Sequence, residues 1–284
     1  MPKIGPYELY AIETGRFGLD GGAMFGIVPK PLWERRIQAD ARNRIPLHMR
    51  CLLLEGKGRV ILVDNGLGDK VDDKFREIYA VDDEEHNLTR SLRQAGFSTD
   101  DVTDVILTHL HFDHCGGSTR RTDDGLEPVF PNAQFYVQRA HWKWARDPNV
   151  REAASFLDEN LDPLAASDRL NLVDGPGTLF PGIELLTVDG HTEAQQLVKV
   201  SDADRTLVFV ADLLPTTAHL RDAWVMAYDV RPLVTIREKR AFLERAVEEG
   251  WHLFFEHDPE TAVGTPSSGE RGFVIEDARG LDAL

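Results

Sequence analysis

Cysteine is nearly absent from this chain, basic side chains are outnumbered, and long apolar runs do not occur. Two cysteines in 284 residues, Cys51 and Cys115, provide no spacing pattern for a disulfide framework, and a reducing compartment is the easier reading. Lys and Arg total 32 against 48 Asp and Glu, a formal net charge of -16. That balance excludes the clustered positive surface that nucleic acid or anionic lipid demands. No apolar run approaches bilayer-spanning length, and the opening MPKIGPYELYAIETG lacks the basic start and apolar core of a signal peptide. A cytoplasmic protein with no nucleic-acid or membrane partner is expected.

What is present is an ordinary globular composition, 42% hydrophobic and 28% charged. Strand-like runs recur between turn signals: Tyr7 to Ile12, Cys51 to Leu54, Val60 to Val63, Val105 to Leu107, Gln134 to Val137, Ile183 to Val188, Gln196 to Val200, Leu207 to Val210 and His252 to Phe255. Helical patterns are interleaved. One runs from Thr235 to Glu249, with Thr235 and Glu238 as a capping box and Gly250 as its stop; another runs from Leu88 to Gln94 and ends at Gly96. The segment Ser118 to Pro131 reads as a long loop, and Phe17 to Pro31 as an irregular excursion rich in Gly and Pro. No linker divides the chain, so one layered α/β domain over residues 1–284 is expected, with an N-terminal extension at about 17–50.

The chemistry concentrates in THLHFDHCGG, residues 108–117, which follows the apolar run Val105, Ile106, Leu107. In extended backbone His109, His111 and Asp113 point to one side and Leu110 and Phe112 to the other. His114 adds a second direction where Gly116 and Gly117 force a turn. Imidazole nitrogen and carboxylate oxygen both bind zinc, and suit manganese or iron as well. Further donors stand at strand ends: His191 after Ile183 to Val188, Asp212 after Leu207 to Val210, and His257 after His252 to Phe255. Each alone is weak, because a strand-end His or Asp is often only a capped turn. With the first motif they form a series.

That series, His109-x-His111-x-Asp113-His114, then Gly190-His191-Thr192, then Asp212, then His257, resembles the metallo-beta-lactamase superfamily over nearly the whole chain, from Val63-Asp64-Asn65-Gly66 onward. The resemblance implies a four-layer αβ/βα sandwich with two divalent metal ions at one edge of the sheets. It assigns His109, His111 and His191 to one metal, and Asp113, His114 and His257 to the other, with Asp212 bridging both. Zinc is the expected metal, with manganese or iron as other occupants. A hydroxide between the cations would be the nucleophile, and Asp113 would orient it or assist the leaving oxygen. Asp64 resembles the family's early strand-end aspartate, which supports the metal loop; a turn aspartate is its other reading.

Absences narrow the branch. No cysteine stands at the bridging position, which departs from enzymes that cleave beta-lactams. Only a short tail follows His257, leaving no glutathione-thioester-binding domain of the glyoxalase II kind. The chain has no room for a nuclease insertion, and His111 differs from the carboxylate of di-iron oxidoreductases. Lactonases, carboxylesterases and organophosphate hydrolases remain, so a small-molecule lactone or ester is the expected partner, with a homodimer a further implication of the resemblance. The small acyl-homoserine lactonases carry a tyrosine three residues beyond the bridging aspartate, where this chain has Pro215, so it looks more like the larger relatives. Met24, Phe25 and Trp33 would wall the substrate pocket, with ordinary core anchors as the alternative. His219 could reach the pocket where that tyrosine would stand; its other reading is a solvent-facing loop histidine. His141 is read as a helix-surface or core contact, and Cys115 as a small buried residue. A non-hydrolytic alternative on the same fold, a mononuclear-iron sulfur-oxidising enzyme or a metal-binding module, stays open, although such a centre does not need Asp113, His114 and His257 together.

Overall fold

Alternation along the strands sets the layering. In Arg44–Gly56 the side chains of Leu52 and Leu54 join one core while Cys51 and Leu53 join another; in Arg59–Val63, Ile61 and Val63 part from Leu62 in the same way. A sheet buried on both faces must be covered on both. In the computed structural model, which describes residues 1–270 and 272–284, that cover is a second sheet on one side and helices on the other.

The first 7-stranded sheet runs Lys3–Ile4, Tyr7–Asp20, Arg44–Gly56, Arg59–Val63, Asp104–Ile106, Gln134–Gln138, Leu170–Val173 in spatial order. The second, also 7-stranded, runs Gly177–Phe180, Ile183–Val188, Gln195–Ser201, Thr206–Phe209, His252–Phe254, Val263–Gly269, Gly272–Arg279. Leu52, Ile61 and Ile106 of the first meet Leu185, Leu197 and Phe209 of the second in one core. Helices Leu88–Gln94, Arg139–Arg146 and Asp158–Ala165 cover the outer face of the first sheet through Leu92, Ala145 and Leu164. Helix Pro232–Glu248 contributes Phe242, Leu243 and Ala246 to the core of the second. The layers are therefore α, β, β, α, as expected.

Strand direction then fixes where the site can be. Arg59–Val63, Asp104–Ile106 and Gln134–Gln138 are parallel, as are Thr206–Phe209 and His252–Phe254, so their carboxyl ends collect along one edge. Backbone bonds stitch the two sheets there: Gln196 N–H to Thr108 O at 2.9 Å, His48 N–H to His257 O at 3.2 Å and Arg50 N–H to Glu256 O at 3.1 Å.

Several boundaries differ from the sequence reading. The extension placed at 17–50 shrinks, because Phe17 to Asp20 complete strand Tyr7–Asp20 and strand Arg44–Gly56 begins at Arg44. Between them lie short helices Gly21–Phe25 and Lys30–Trp33, so the excursion is not irregular. The expected loop from Ser118 to Pro131 contains a hairpin, Thr119–Thr122 paired with Gly125–Pro128, turned by Asp123 and Asp124. The capping box also fails. Helix Pro232–Glu248 starts earlier, with Pro232 in its first turn, and Thr235 lies inside it. The Glu238 carboxylate accepts instead from Asp189 N–H (2.8 Å) and Gly190 N–H (2.9 Å), in the turn that delivers His191. Glu238→Ala should therefore cost about 1–2 kcal/mol in denaturant unfolding, the scale for hydrogen bonds to a charged group. A variant as stable as the parent would show that those two N–H groups are satisfied without it.

Candidate metal centre

Four backbone peculiarities shape the edge. Asp64, directly after strand Arg59–Val63, has a φ of 56°, and Ala211, directly before Asp212, a φ of 42°, both in the left-handed region that costs a residue with a Cβ. Gly116 and Gly117 do not supply a left-handed turn. A Cβ on Gly116 would lie 2.1 Å from Leu67 O and one on Gly117 2.2 Å from Asn65 O, so the pair is needed for close approach of two backbones. That contact, sealed by Asn65 N–H to His114 O at 2.9 Å, presses the turn after Asp64 onto the segment carrying Asp113 and His114. Those two residues sit in a helical turn, Phe112–Cys115, so the extended alternation ends at His111.

His109, His111, Asp113, His114, His191, Asp212 and His257 are brought together, and all are buried. They form two groups, His109, His111, His191 and Asp212 in one, Asp113, His114 and His257 in the other. Within the first, His111 Nδ1 lies 3.1 Å from His109 Nε2 and 3.2 Å from His191 Nε2. Within the second, His114 Nε2 and His257 Nε2 are 3.1 Å apart, each 3.8 Å from Asp113 Oδ2. Asp212 stands between the groups: its Oδ2 is 3.2 Å from His191 Nε2 and its Oδ1 3.2 Å from His257 Nε2, the latter without hydrogen-bond alignment.

The opposite nitrogen of every imidazole is already engaged. His191 Nδ1 donates to Asp229 Oδ1 (3.0 Å), His257 Nδ1 to His48 O (2.7 Å) and His111 Nε2 to Glu152 Oε1 (3.3 Å). His114 Nδ1 lies 3.0 Å from both Asp64 Oδ2 and Glu256 Oε2. His109 Nδ1 donates to Thr108 Oγ1 (3.0 Å), whose own proton goes to Asp64 Oδ2 (2.6 Å). In the neutral rings this keeps the protons outside, and the inward nitrogens then present lone pairs to one another. Such a convergence needs a positive charge at its centre.

The field makes the same demand. Burial pushes the His109 and His111 imidazoles down. For His114, His191 and His257 burial also works against charge, but neighbouring carboxylates outweigh it and raise all three, His257 to about 9 under Asp212 and Glu256. Burial raises the Glu256 carboxyl, whereas at Asp212 burial is outweighed by His191, His257 and His114, which hold it well below the usual range. A dry site rich in carboxylates calls for cations, and these donor types at these separations fit two divalent ions.

The centre opens into a cavity of about 330 Å³. Leu19, Met24, Leu47, Phe112 and Met226 supply its apolar side; Asp113, His111, His191, Asp212 and His257 reach it from the metal side. Of the expected wall, only Met24 lines it. Phe25 and Trp33 do not: they stack behind Met24, rings 5.3 Å apart, as core anchors. His219 is neither in the cavity nor facing solvent. It is buried flat on Phe25 at 4.7 Å, donates from Nε2 to Met24 O (2.9 Å), and burial pushes it down to about 4, so it fixes the wall from behind. Asp64, at 0% exposure, accepts from Thr108 N–H (2.7 Å) and from the Thr108 hydroxyl, and also lies beside His114. Cys115 is buried with its thiol on Leu110 O (3.3 Å) and pushed up to about 12 by burial, which suits no nucleophile.

Sequence reasoning missed Glu152, Asp229, Glu256 and the task of His141, whose Nε2 accepts from Leu110 N–H (2.8 Å) while its Nδ1 donates to Glu193 O (2.6 Å). It also missed that Tyr79 and Tyr228 line the cavity, so phenol groups are present although Pro215 offers none. Burial raises both phenols, Tyr228 to about 12, and keeps them protonated donors at neutral pH.

Fold and donor set define the class, a metal-dependent hydrolase with its donors at the edge of two facing sheets. The family model of the metallo-beta-lactamase superfamily matches residues 46–243, more than half of the chain, and the chain belongs to that superfamily. An N-acyl homoserine lactonase of Bacillus cereus is 27% identical over 268 residues, covering 90% of this chain and 95% of its own. The solved structure of a probable metal-dependent hydrolase from Staphylococcus aureus superposes with a TM-score of 0.87 at 29% identity, over 98% of this chain and all of that one. The dizinc quorum-quenching lactonase AidC, solved with a product, shares the fold at a TM-score of 0.82 and 22% identity, over 99% of this chain and 97% of its own.

The outer partners give a test. Glu152→Gln and Asp229→Asn keep shape but weaken the acceptors of His111 and His191, and each should lower metal affinity about 10–100-fold. Chelator competition followed by metal analysis reads this directly. Retention equal to the parent's in both variants would mean that the imidazoles are oriented by the backbone alone.

Proposed function

We propose that the protein is a dinuclear metal-dependent lactonase or carboxylesterase, with organophosphate hydrolysis as a side activity. One observation carries the reading: the Asp212 carboxylate sits between two buried donor groups and, with Asp113, faces a cavity whose other side is apolar. Two bound divalent ions, zinc by preference, would supply a Lewis acid for the substrate oxygen and water that ionises near neutral pH.

The residues divide the remaining work. The apolar side formed by Leu19, Met24, Leu47, Phe112 and Met226 holds the organic part of the substrate and excludes water from it. Asp113, partly open to the cavity, accepts the proton of the attacking water and returns it to the leaving oxygen. The Tyr79 and Tyr228 phenols offer hydrogen bonds to substrate oxygens. A lactone suits this arrangement because its alkoxide stays tethered to the acyl product. The similarity to the Bacillus cereus N-acyl homoserine lactonase supports the lactone class.

A mononuclear iron site is disfavoured by the second group, since Asp113, His114 and His257 are as deeply buried and as closely gathered as the first. Protein reconstituted with zinc or manganese should open aliphatic or acylated lactones, hydrolyse aryl esters and organophosphates more slowly, and lose all of this to chelator. Asp212→Ala should fall to near background, while Asp64→Ala, which removes a support, should be milder. Equal rates with and without metal, or oxygen consumption with a thiol and no turnover of any ester, would contradict the reading.

A further inference from the structure

Strands Tyr7–Asp20 and Arg44–Gly56 carry a cluster of three ionisable side chains, Glu13, His48 and Arg50, that does not line the cavity. His48 and Arg50, two residues apart on one strand, point to the same face, and Glu13 stands directly opposite Arg50 in the register. Glu13 Oε1 accepts from Arg50 Nε at 2.5 Å, and His48 Nδ1 lies 2.9 Å from both Glu13 Oε2 and Arg50 Nη2. Burial works against the Glu13 charge, yet His48 and Arg50 outweigh it and hold the carboxyl down at about 2.

The buried Arg50 guanidinium turns its other end onto the loop that bears His257. Nη1 donates to Phe255 O (3.0 Å), Asp258 O (3.2 Å) and Thr261 O (3.3 Å), carbonyls that bracket His257 in sequence. Along the same strand Arg50 N–H bonds Glu256 O at 3.1 Å, and His48 O accepts from His257 Nδ1 at 2.7 Å. Glu13 therefore stands behind two supports of that imidazole, the residue whose carbonyl engages its outer nitrogen and the arginine that shapes its loop. Among the described residues the side-chain bonds of Arg50 end on Glu13, His48 and residues 255–261, and none reaches the loops that carry Glu152 and Asp229.

A buried Arg–Glu pair is a poor way to stabilise a sheet, because two well-packed apolar side chains do as well with less desolvation. What an apolar pair cannot do is gather three buried carbonyls onto one planar group and so fix the path of a loop.

Resting on the two-ion reading above, we propose that Arg50, aimed by Glu13, is a positioning residue for His257 and sets the metal affinity of the group Asp113, His114 and His257 separately from that of His109, His111 and His191.

The test measures zinc affinity by competition with a chromophoric chelator in the parent, Arg50→Met, Arg50→Lys and Glu13→Gln, and locates the retained ion by anomalous diffraction. In Arg50→Met the ion at Asp113, His114 and His257 should bind about 10–100-fold more weakly, the scale for outer partners of a ligand, while the other stays within about twofold. Arg50→Lys keeps the charge beside Glu13 but lacks the planar fork, so it should recover only part. Glu13→Gln keeps the shape and should move the same ion in the same direction, and it decides the matter if Arg50→Met does not fold. A general loosening of the fold would weaken both ions together; that result, or an unchanged affinity at the His257 group, overturns the assignment. If the parent binds only one ion, the two-ion reading fails, and amide exchange in the metal-free protein decides on the clamp. Faster exchange over residues 255–261 in Arg50→Met or Glu13→Gln, with residues 147–157 and 221–231 unchanged, upholds it; any other pattern overturns it.

Discussion

The structure depends on one constraint: the outer nitrogen of each site imidazole is engaged, so in the neutral rings the proton sits outside and the inner nitrogens converge as donors for a cation. Asp64, Glu152 and Asp229, together with the His48 carbonyl and the Thr108 hydroxyl, impose that tautomer from different segments. Each sits on or beside a different strand end or loop, so the tautomer holds only while the two sheets meet at that edge. The cross-sheet bonds of Thr108, His257 and Glu256 are therefore part of the site as much as of the fold.

Two left-handed residues stand at the same edge. The left-handed Asp64 turns its carboxylate back toward Thr108 and His114, and the left-handed Ala211 swings Asp212 out of its strand direction into the space between the two donor groups. Both conformations persist because the surrounding hydrogen bonds and the Gly116–Gly117 contact leave the chain no alternative. Behind the cavity, the Phe25, Trp33 and His219 stack performs a similar task without lining it, fixing Met24 and the short helix that bears it. The metal-type donors stand at the strand ends, and the facing loops carry Glu152 and Asp229, which accept from His111 and His191.

The donor set was legible because His109 to His114 are contiguous and because His191, Asp212 and His257 each follow an apolar run that had to be a strand. Glu152, Asp229 and the role of His141 were not legible: they lie on loops or a helix with no periodic signal, in a chain where 28% of residues are charged. Glu256 was not legible either, because only its adjacency to His257 marks it. The hairpin at Thr119–Thr122 and Gly125–Pro128 was missed although Asp-Asp-Gly is a turn signal, because its strands are charged and unpatterned. Strand Val263–Gly269 was missed for a different reason, its Gly and Pro content, which pairing with its neighbours overrides. Thr235 and Glu238 matched a cap by spacing, yet Glu238 had a better use, the two N–H groups of the turn before His191. Local motifs yield where a distant backbone competes for the same side chain.

The most direct test of the account is an anomalous-scattering crystal structure of the protein loaded with zinc. The account predicts two peaks about 3.5–4 Å apart, one among His109, His111 and His191 and the other among Asp113, His114 and His257, with Asp212 between them. A single peak, or a second one lying away from Asp113, His114 and His257, would contradict it.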